Sequence, residues 1–170
     1  MKRILLLALL SIISFSCGQS NSKDKDFTVI YLIRHAEKDR SDASNRDPNL
    51  NEEGKQRADG WAKYFDEIKL DKVYSTNYNR TKETAVPTAE SKDLELEFYD
   101  PGNINGPNFI KENKNKTVLI VGHSNTTPAF ANALLGEKKY KQFDDRVNSN
   151  LIVVTIDKEG NKSSSISQVD

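Results

Sequence analysis

The fold is decided by the stretch Val29-Ile30-Tyr31-Leu32-Ile33-Arg34-His35, in which five apolar residues run without a break into an arginine and a histidine. A second run of the same kind, Val118-Leu119-Ile120-Val121-Gly122-His123, ends in the only other histidine of the 170-residue chain. Continuous apolar runs of this length predict strands that are buried on both faces of a parallel sheet. The carboxyl ends of such strands share one edge, where ligands and chemistry gather. We therefore predict that His35 and His123 meet there as a catalytic pair.

The rest of the folded region alternates strand-like and helix-like segments, which is the pattern of an α/β fold. Apolar residues at helical spacing from Ala58 to Ile68 predict a helix that begins after Asn51. The later segments predict strands over 72–75, 94–98 and 151–156. They also predict helices from Thr76 or Asn77 through Ala85, at Phe109–Ile110 and over Thr126–Leu135. A hairpin turn is predicted over Lys158–Asn161. The length fits one domain, which we place at residues 27–170.

The N-terminus reads differently from the folded region. Lys2 and Arg3 precede an apolar stretch over 4–13, and small residues and Cys17 follow. This order is typical of a secretory signal, and the stretch is too short to span a membrane as a helix. The position of Cys17 resembles a bacterial lipoprotein signal, in which that cysteine is lipidated. We therefore expect a signal peptide over 1–17, a polar tether over 18–26 and a lipid-anchored protein of the bacterial cell envelope. An ordinary secretory signal, and hence a secreted protein, is the alternative.

The charges favour a small phosphorylated partner over a nucleic acid. Charged residues make up 29% of the chain and balance to a formal net charge of +0, whereas a nucleic-acid-binding protein shows a basic excess. A neutral imidazole is a good nucleophile toward phosphorus, and arginine forks bind phosphoryl oxygens. Arg34 lies beside His35, and Arg80 lies at the start of a helix that follows a strand. These residue types can support phosphoryl transfer without a metal or other cofactor.

Four segments in order resemble the histidine phosphatase (phosphoglycerate mutase-like) superfamily: Arg34-His35-Ala36, Asp47 through Ala58, Ser75 through Ala85, and Val121-Gly122-His123. The resemblance implies a small exported bacterial member with a three-layer α/β/α sandwich around a mostly parallel sheet. It implies that His35 is the nucleophile that is transiently phosphorylated. It also implies that Arg34, Arg80, His123 and Ser124 bind the phosphoryl group.

The chain departs from the family pattern at several places, one of which is Ser41, where mutases carry an asparagine six residues after the nucleophile. The spacing from Ser75 to Arg80 is one residue longer than in the family's Ser-x-x-x-Arg-x-x-x-Thr-Ala segment. Acid-phosphatase branches carry an aspartate directly after the second histidine, where this chain has Ser124. We predict Asp100 as the proton donor, with Glu97, Glu37 or a water as the alternatives.

The sequence predicts a metal-independent phosphomonoester hydrolase that acts on a small phosphoester or a phosphorylated side chain. Two alternatives remain open: a phosphoglycerate mutase-type phosphotransferase, and a non-enzymatic ligand-binding lipoprotein on the same fold. A serine hydrolase is disfavoured because Thr126 replaces the second glycine of a Gly-x-Ser-x-Gly elbow and no histidine follows Ser124. A zinc site is disfavoured because the chain has no clustered ligands. Around the site, we interpret the charged loop over 37–46 as a solvated rim, with a specificity element as the alternative, and Tyr78 as a packing residue, with a pocket-lining role as the alternative.

Overall fold

The computed structural model of the chain describes residues 26–169. The predicted signal peptide, Cys17 and all of the tether except Asp26 therefore lie outside the described residues. The described elements are β1 (Phe27–Arg34), α1 (Glu52–Tyr64), β2 (Lys72–Ser75), α2 (Asn79–Ser91), β3 (Leu96–Phe98), α3 (Gly106–Glu112), β4 (Thr117–Gly122), α4 (Thr126–Leu135), β5 (Asn150–Asp157) and β6 (Lys162–Gln168). Within residues 26–169, no helix has the length and apolar composition needed to cross a bilayer.

The strands form one sheet in the order β3-β2-β4-β1-β5-β6. Strands β3, β2, β4 and β1 pair in parallel, whereas β5 and β6 add an antiparallel hairpin beside β1. The prediction of a mostly parallel sheet is confirmed. Because β1 and β4 are parallel neighbours with Arg34 opposite Gly122, the chain leaves both strands at the same point of the sheet edge.

Helices cover both faces of this sheet. On one face, Phe130 and Leu134 of α4 pack with α3 against alternate residues of the central strands, including Ile30 and Ile120. On the other face, α1 and α2 pack against the intervening residues, with Trp61 buried among them. The apolar runs are continuous because successive side chains of a strand point to opposite faces, and here both faces are buried. The predicted three-layer α/β/α sandwich is confirmed.

Helix α1 begins as its sequence predicts. The Asn51 side chain accepts a hydrogen bond from the Gly54 amide at 2.8 Å, which satisfies one of the free amides of the first turn. Gly54 lies so close to the loop after β1 that a Cβ atom there would be 2.1 Å from the carbonyl oxygen of Glu37. This close approach fixes the position of α1 against the segment that follows His35.

Several boundaries differ from the prediction: α1 ends at Tyr64 and not at Ile68, and α2 continues beyond Ala85 to Ser91. Strand β3 begins at Leu96 and not at residue 94. Helix α2 begins at Asn79 and not after Thr76 or Asn77, because the Thr76 side chain faces the sheet edge, where it is hydrogen-bonded. The free amide of Asn79 is instead satisfied by the carboxylate of Asp47, at 2.8 Å, which belongs to a distant loop.

Candidate active site

The two histidines meet at the carboxyl ends of β1 and β4, as the sequence predicts. Their ring centroids are 5.5 Å apart, and the His35 amide donates to the carbonyl of Gly122 at 2.9 Å. Thr76, which follows β2, lies at the same edge and is fully buried. The site is therefore built from the ends of three adjacent parallel strands.

The His35 ring is oriented with one nitrogen free. Its Nδ1 lies 2.7 Å from the carbonyl oxygen of Ala36, and since a carbonyl only accepts, Nδ1 carries the proton. The unprotonated Nε2 is then available as a nucleophile. His35 is only 3% exposed. Burial lowers the pKa of His35 to about 3, helped by the positive charge of Arg34, although the Ala36 hydrogen bond opposes this shift. The imidazole is therefore neutral at physiological pH.

His123 is held by polar neighbours on two sides. Its Nε2 lies 2.9 Å from Thr76 Oγ1, and its Nδ1 lies 3.5 Å from Nη2 of Arg80. Because a guanidinium only donates, this arrangement puts the proton of the neutral ring on Nε2, directed at Thr76. Burial lowers the pKa of His123 to about 4, with Arg80 as the next cause. The edge of the ring meets Tyr78, with centroids 5.1 Å apart.

Arg34 is fully buried and is held by one loop. Its Nη1 donates to the carbonyls of Asp144 and Val147 at 3.2 and 3.1 Å, and its Nη2 donates to Oδ1 of Asp145 at 2.6 Å. The third nitrogen of the guanidinium, the buried Nε, has no hydrogen-bond partner among the described residues. A buried donor without a partner is costly, so this group is suited to an oxyanion bound at the site.

Arg80 shows the same pattern from the opposite side. Its Nη1 lies 3.4 Å from Oδ1 of Asp47, and the guanidinium carbon lies 4.6 Å from the centroid of the Tyr78 ring. Its buried Nε–H also lacks a partner within the described part of the chain. Two fixed guanidinium groups therefore each keep a donor free beside the histidine pair.

The loop that holds Arg34 also supports both histidine segments. The Asn148 side chain donates to the carbonyl of His35 at 2.7 Å, and the Phe143 amide donates to the carbonyl of Ser124 at 2.8 Å. Residues 143–148 thus connect the ends of β1 and β4. No side-chain contact of Ser124 is described, so its predicted role in phosphate binding stays a prediction.

The proton-donor candidates lie in different surroundings. The Asp100 carboxylate accepts from the Gly102 amide at 2.8 Å, and it lines a cavity whose walls contain neither histidine. Glu97 is paired with Lys72 at 2.8 Å, and Glu37 is paired with Arg57 at 2.8 Å. Both glutamates are therefore already engaged in ion pairs. The assignment of Asp100 stays a prediction.

Several residues of the site were not assigned to it by the sequence analysis. Tyr78 is 40% exposed and lines the site beside His123, so the interpretation of it as a packing residue was wrong. Thr76, Asp47 and Asp145 were not predicted as residues of the site. For Thr76 a signal was present: counted from Thr76, the spacing to Arg80 is four residues, as in the family's Ser-x-x-x-Arg segment, and Thr84-Ala85 then falls into register. Threonine therefore stands where the pattern has serine, and the apparent extra residue disappears.

No metal centre is indicated by the described residues. Across 26–169, no three His, Cys, Asp or Glu side chains are grouped so that they could hold a metal ion. That the reaction needs no metal stays a prediction.

Comparisons with known proteins find a matching family model and similar folds. The family model described as histidine phosphatase superfamily (branch 1) matches residues 30–101. The fold is similar to the protein histidine phosphatase SixA complexed with tungstate (18% identity, 82% of this chain and 96% of that chain, TM-score 0.65). It is also similar to a mycobacterial glucosyl-3-phosphoglycerate phosphatase (13% identity, 84% of this chain and 100% of that chain, TM-score 0.65). A third similar structure is phosphoserine phosphatase from Entamoeba histolytica (20% identity, 84% of this chain and 98% of that chain, TM-score 0.63). No curated protein sequence matches the chain.

Proposed function

We propose that this chain, whose residues 30–101 match the model of the histidine phosphatase superfamily, is a metal-independent phosphomonoester hydrolase that works through a phosphohistidine intermediate. The observation that carries this proposal is the position of the neutral, buried His35 ring beside His123 and two guanidinium groups with free Nε–H donors. A nucleophile and preorganised positive charge are the two requirements of phosphoryl transfer without a metal.

The first step forms a bond from Nε2 of His35 to phosphorus. The bond from phosphorus to the leaving oxygen breaks on the opposite side, in line with the attack. The free Nε–H groups of Arg34 and Arg80 donate to the phosphoryl oxygens, and so offset the charge that they carry in the transition state. His123 acts through Arg80, because its Nδ1 accepts from Nη2 of that guanidinium and so helps to hold it beside the phosphoryl group.

The second step returns the enzyme to its starting state. A water attacks phosphorus and gives a proton to the group that protonated the leaving oxygen in the first step, the bond to His35 breaks, and inorganic phosphate leaves with the imidazole neutral again. The Nδ1 hydrogen bond to Ala36 keeps the ring in one tautomer through both steps. In the first step the leaving oxygen takes a proton, which we assign to Asp100 or to a water.

The substrate class is a small phosphoester or a phosphorylated side chain. Proteins of similar fold support this range, since one is a protein histidine phosphatase and another is a phosphoserine phosphatase. Tyr78, at 40% exposure, makes one wall of the site accessible from outside.

The chain offers a matched pair of variants for the test. His35→Ala is expected to abolish the release of p-nitrophenol from p-nitrophenyl phosphate and to abolish acid-labile, alkali-stable labelling by a phosphodonor. His123→Ala makes the same change on the neighbouring ring, and it is expected to slow turnover while leaving the label on His35. Turnover in His35→Ala, or a label that persists in it, would refute the nucleophile assignment. Loss of wild-type activity in a chelator would refute metal independence.

We also propose that the protein is held in the bacterial cell envelope through a lipid on Cys17. The order of basic, apolar and small residues before Cys17 supports this proposal. Cys17→Ser is expected to move the protein from the membrane fraction to the soluble fraction. An unchanged membrane fraction would contradict the anchor.

A further inference from the structure

Lys38, three residues after His35, is a half-buried cation on the rim of the site. Its backbone is fixed, because it forms an isolated antiparallel bridge with Leu50. Its ammonium group makes no hydrogen bond or ion pair with the described residues, whereas Arg34, Arg40 and Arg80 each contact a carboxylate. Lys38 is therefore a positioned charge whose ammonium has no ion-pair partner within residues 26–169.

The neighbours of Lys38 are mostly cations. Burial, together with the positive charges of Arg40 and Arg80, lowers the pKa of Lys38 below its ordinary value. The opposing carboxylate, Asp145, is already bonded to Arg34 at 2.6 Å and to Arg40 at 2.7 Å. Lys38 in turn helps to lower the pKa of His123, so it lies within electrostatic reach of the histidine pair. An anion bound at this place would relieve the repulsion among these cations.

A cavity of about 310 Å³ adjoins Lys38, and Arg40, Asp145, Arg146 and Asn148 share its lining. Two carboxylates, those of Glu37 and Glu53, also line it, and Glu37 is neutralised by Arg57. An in-line displacement puts the leaving group on the side of phosphorus opposite the attacking nitrogen of His35. Since Lys38 lies within electrostatic reach of His123 and Arg80, we assign the cavity beside Lys38 to the leaving group.

We propose that Lys38 determines specificity by binding a second anionic group, a carboxylate or a second phosphate, on the leaving group of the substrate. This inference rests on the proposed hydrolase activity, since that activity places the phosphoryl group at His35. A lysine ammonium is a compact charge with three donors, so it serves either kind of oxyanion. The second anionic group of the substrate thus forms an ion pair with the Lys38 ammonium.

The test uses three phosphonates that the full-length protein cannot hydrolyse: butylphosphonate, 4-phosphonobutanoate and butane-1,4-bisphosphonate. Their affinities are measured by calorimetry for wild type, Lys38→Gln and Lys38→Arg. Lys158→Gln is the matched control, because Lys158 follows β5 at the end of the sheet opposite the site. The two ligands with a second anion are expected to bind wild type about tenfold to a hundredfold more tightly than butylphosphonate. Lys38→Gln is expected to remove this difference, whereas Lys38→Arg and Lys158→Gln keep it.

The outcomes separate this inference from the proposed function. Equal wild-type affinity for all three ligands overturns the subsite, and so does an equal loss for all three in Lys38→Gln, since Lys38 would then hold the phosphoryl group itself. A preference for only one of the two anions identifies it as a carboxylate or a phosphate. Failure to hydrolyse p-nitrophenyl phosphate overturns the hydrolase and leaves the affinity pattern to decide the subsite by itself. In turnover, the wild-type preference in kcat/KM for 3-phosphoglycerate over glycerol 3-phosphate is expected to fall toward one in Lys38→Gln.

Discussion

Replacing Asp145 by alanine tests whether this carboxylate keeps Arg34 in place. The change removes the 2.6 Å hydrogen bond from Nη2 of the fully buried Arg34 and the 2.7 Å contact with Arg40. The two carbonyl contacts of Arg34 Nη1 remain, so the guanidinium stays inside but loses the partner that fixes its rotation. We expect both the stability and the turnover of the variant to fall.

The magnitude follows from the burial of the partners. A hydrogen bond that involves a charged group contributes about 1.5–3 kcal/mol, and the Arg34 end of this bond has 0% exposure. The Arg40 contact is 56% exposed at both ends, so it contributes no more than about 1 kcal/mol. Since the Asp145 end of both contacts is open to water, we expect a loss of about 2–3 kcal/mol in the free energy of unfolding. A guanidinium that can rotate is expected to lower kcat by about tenfold to a hundredfold.

Urea unfolding of three variants separates the contributions. Asp145→Asn keeps an acceptor for Arg34 but removes the charge, and it should lie between wild type and Asp145→Ala. Asp144→Ala is the matched control: Asp144 lies directly before Asp145 in the same loop, and its carboxylate pairs with the exposed Arg146 and not with Arg34. We expect Asp144→Ala to cost no more than about 1 kcal/mol.

The cost of Asp145→Ala should also depend on pH. Burial alone would raise the pKa of Asp145, but the hydrogen bond from Arg40 and the charge of Arg34 hold it below its ordinary value. A carboxyl with a depressed pKa stabilises the fold above its unfolded pKa of about 4, and this stabilisation is lost as the pH falls through the folded pKa. A cost equal to that of Asp144→Ala, or one that grows toward acid pH, would refute the role given to Asp145.

Three further predictions concern the scaffold of the site. Gly54→Ala is expected to lower the thermal midpoint sharply, because the new Cβ atom would overlap the backbone of the loop after β1. Gly60→Ala in the same helix is the control: its Cβ atom meets nothing within 4 Å, so it should stabilise the protein by about 0.5–1 kcal/mol. Equal effects of the two changes would contradict the close approach at Gly54. Thr76→Val removes the hydroxyl at 2.9 Å from His123 and should cost about 1–3 kcal/mol in urea unfolding, while Thr76→Ser should cost less, and the reverse order would be inconsistent with the hydrogen bond. His35 and His123 have folded pKa values of about 3 and about 4, whereas a histidine in the unfolded chain has a pKa of about 6.5, so the unfolded chain binds more protons below that pH. The free energy of unfolding should therefore fall as the pH decreases from about 6.5 to 4, by up to about 1.4 kcal/mol per pH unit for each histidine. An unchanged slope in His35→Asn would argue against this burial.

The sequence predicted the sheet because its signal is local. The runs that end at His35 and His123 are continuous and apolar, and only burial on both faces accommodates them. The start of α1 was predictable for the same reason, since the Asn51 cap and the residues that it satisfies lie within one turn. The boundary of α2 was not, because its first amide is capped by Asp47, which is 32 residues away in the chain.

The sequence by itself determined which residues reach the candidate active site: two histidines and two arginines lie at or just after the ends of strands of a predicted parallel sheet, and parallel strands end at one edge. Only the tertiary structure decided what surrounds them. Asp145 reaches Arg34 across 111 residues of chain, and Asn148 reaches the carbonyl of His35 across 113. These partners come from a loop without periodicity or motif, so no local pattern predicts them. In the part of the chain that the structure describes, the Lys38 ammonium likewise has no ion-pair partner, because an ion pair depends on which loops meet in space and not on their spacing in the chain.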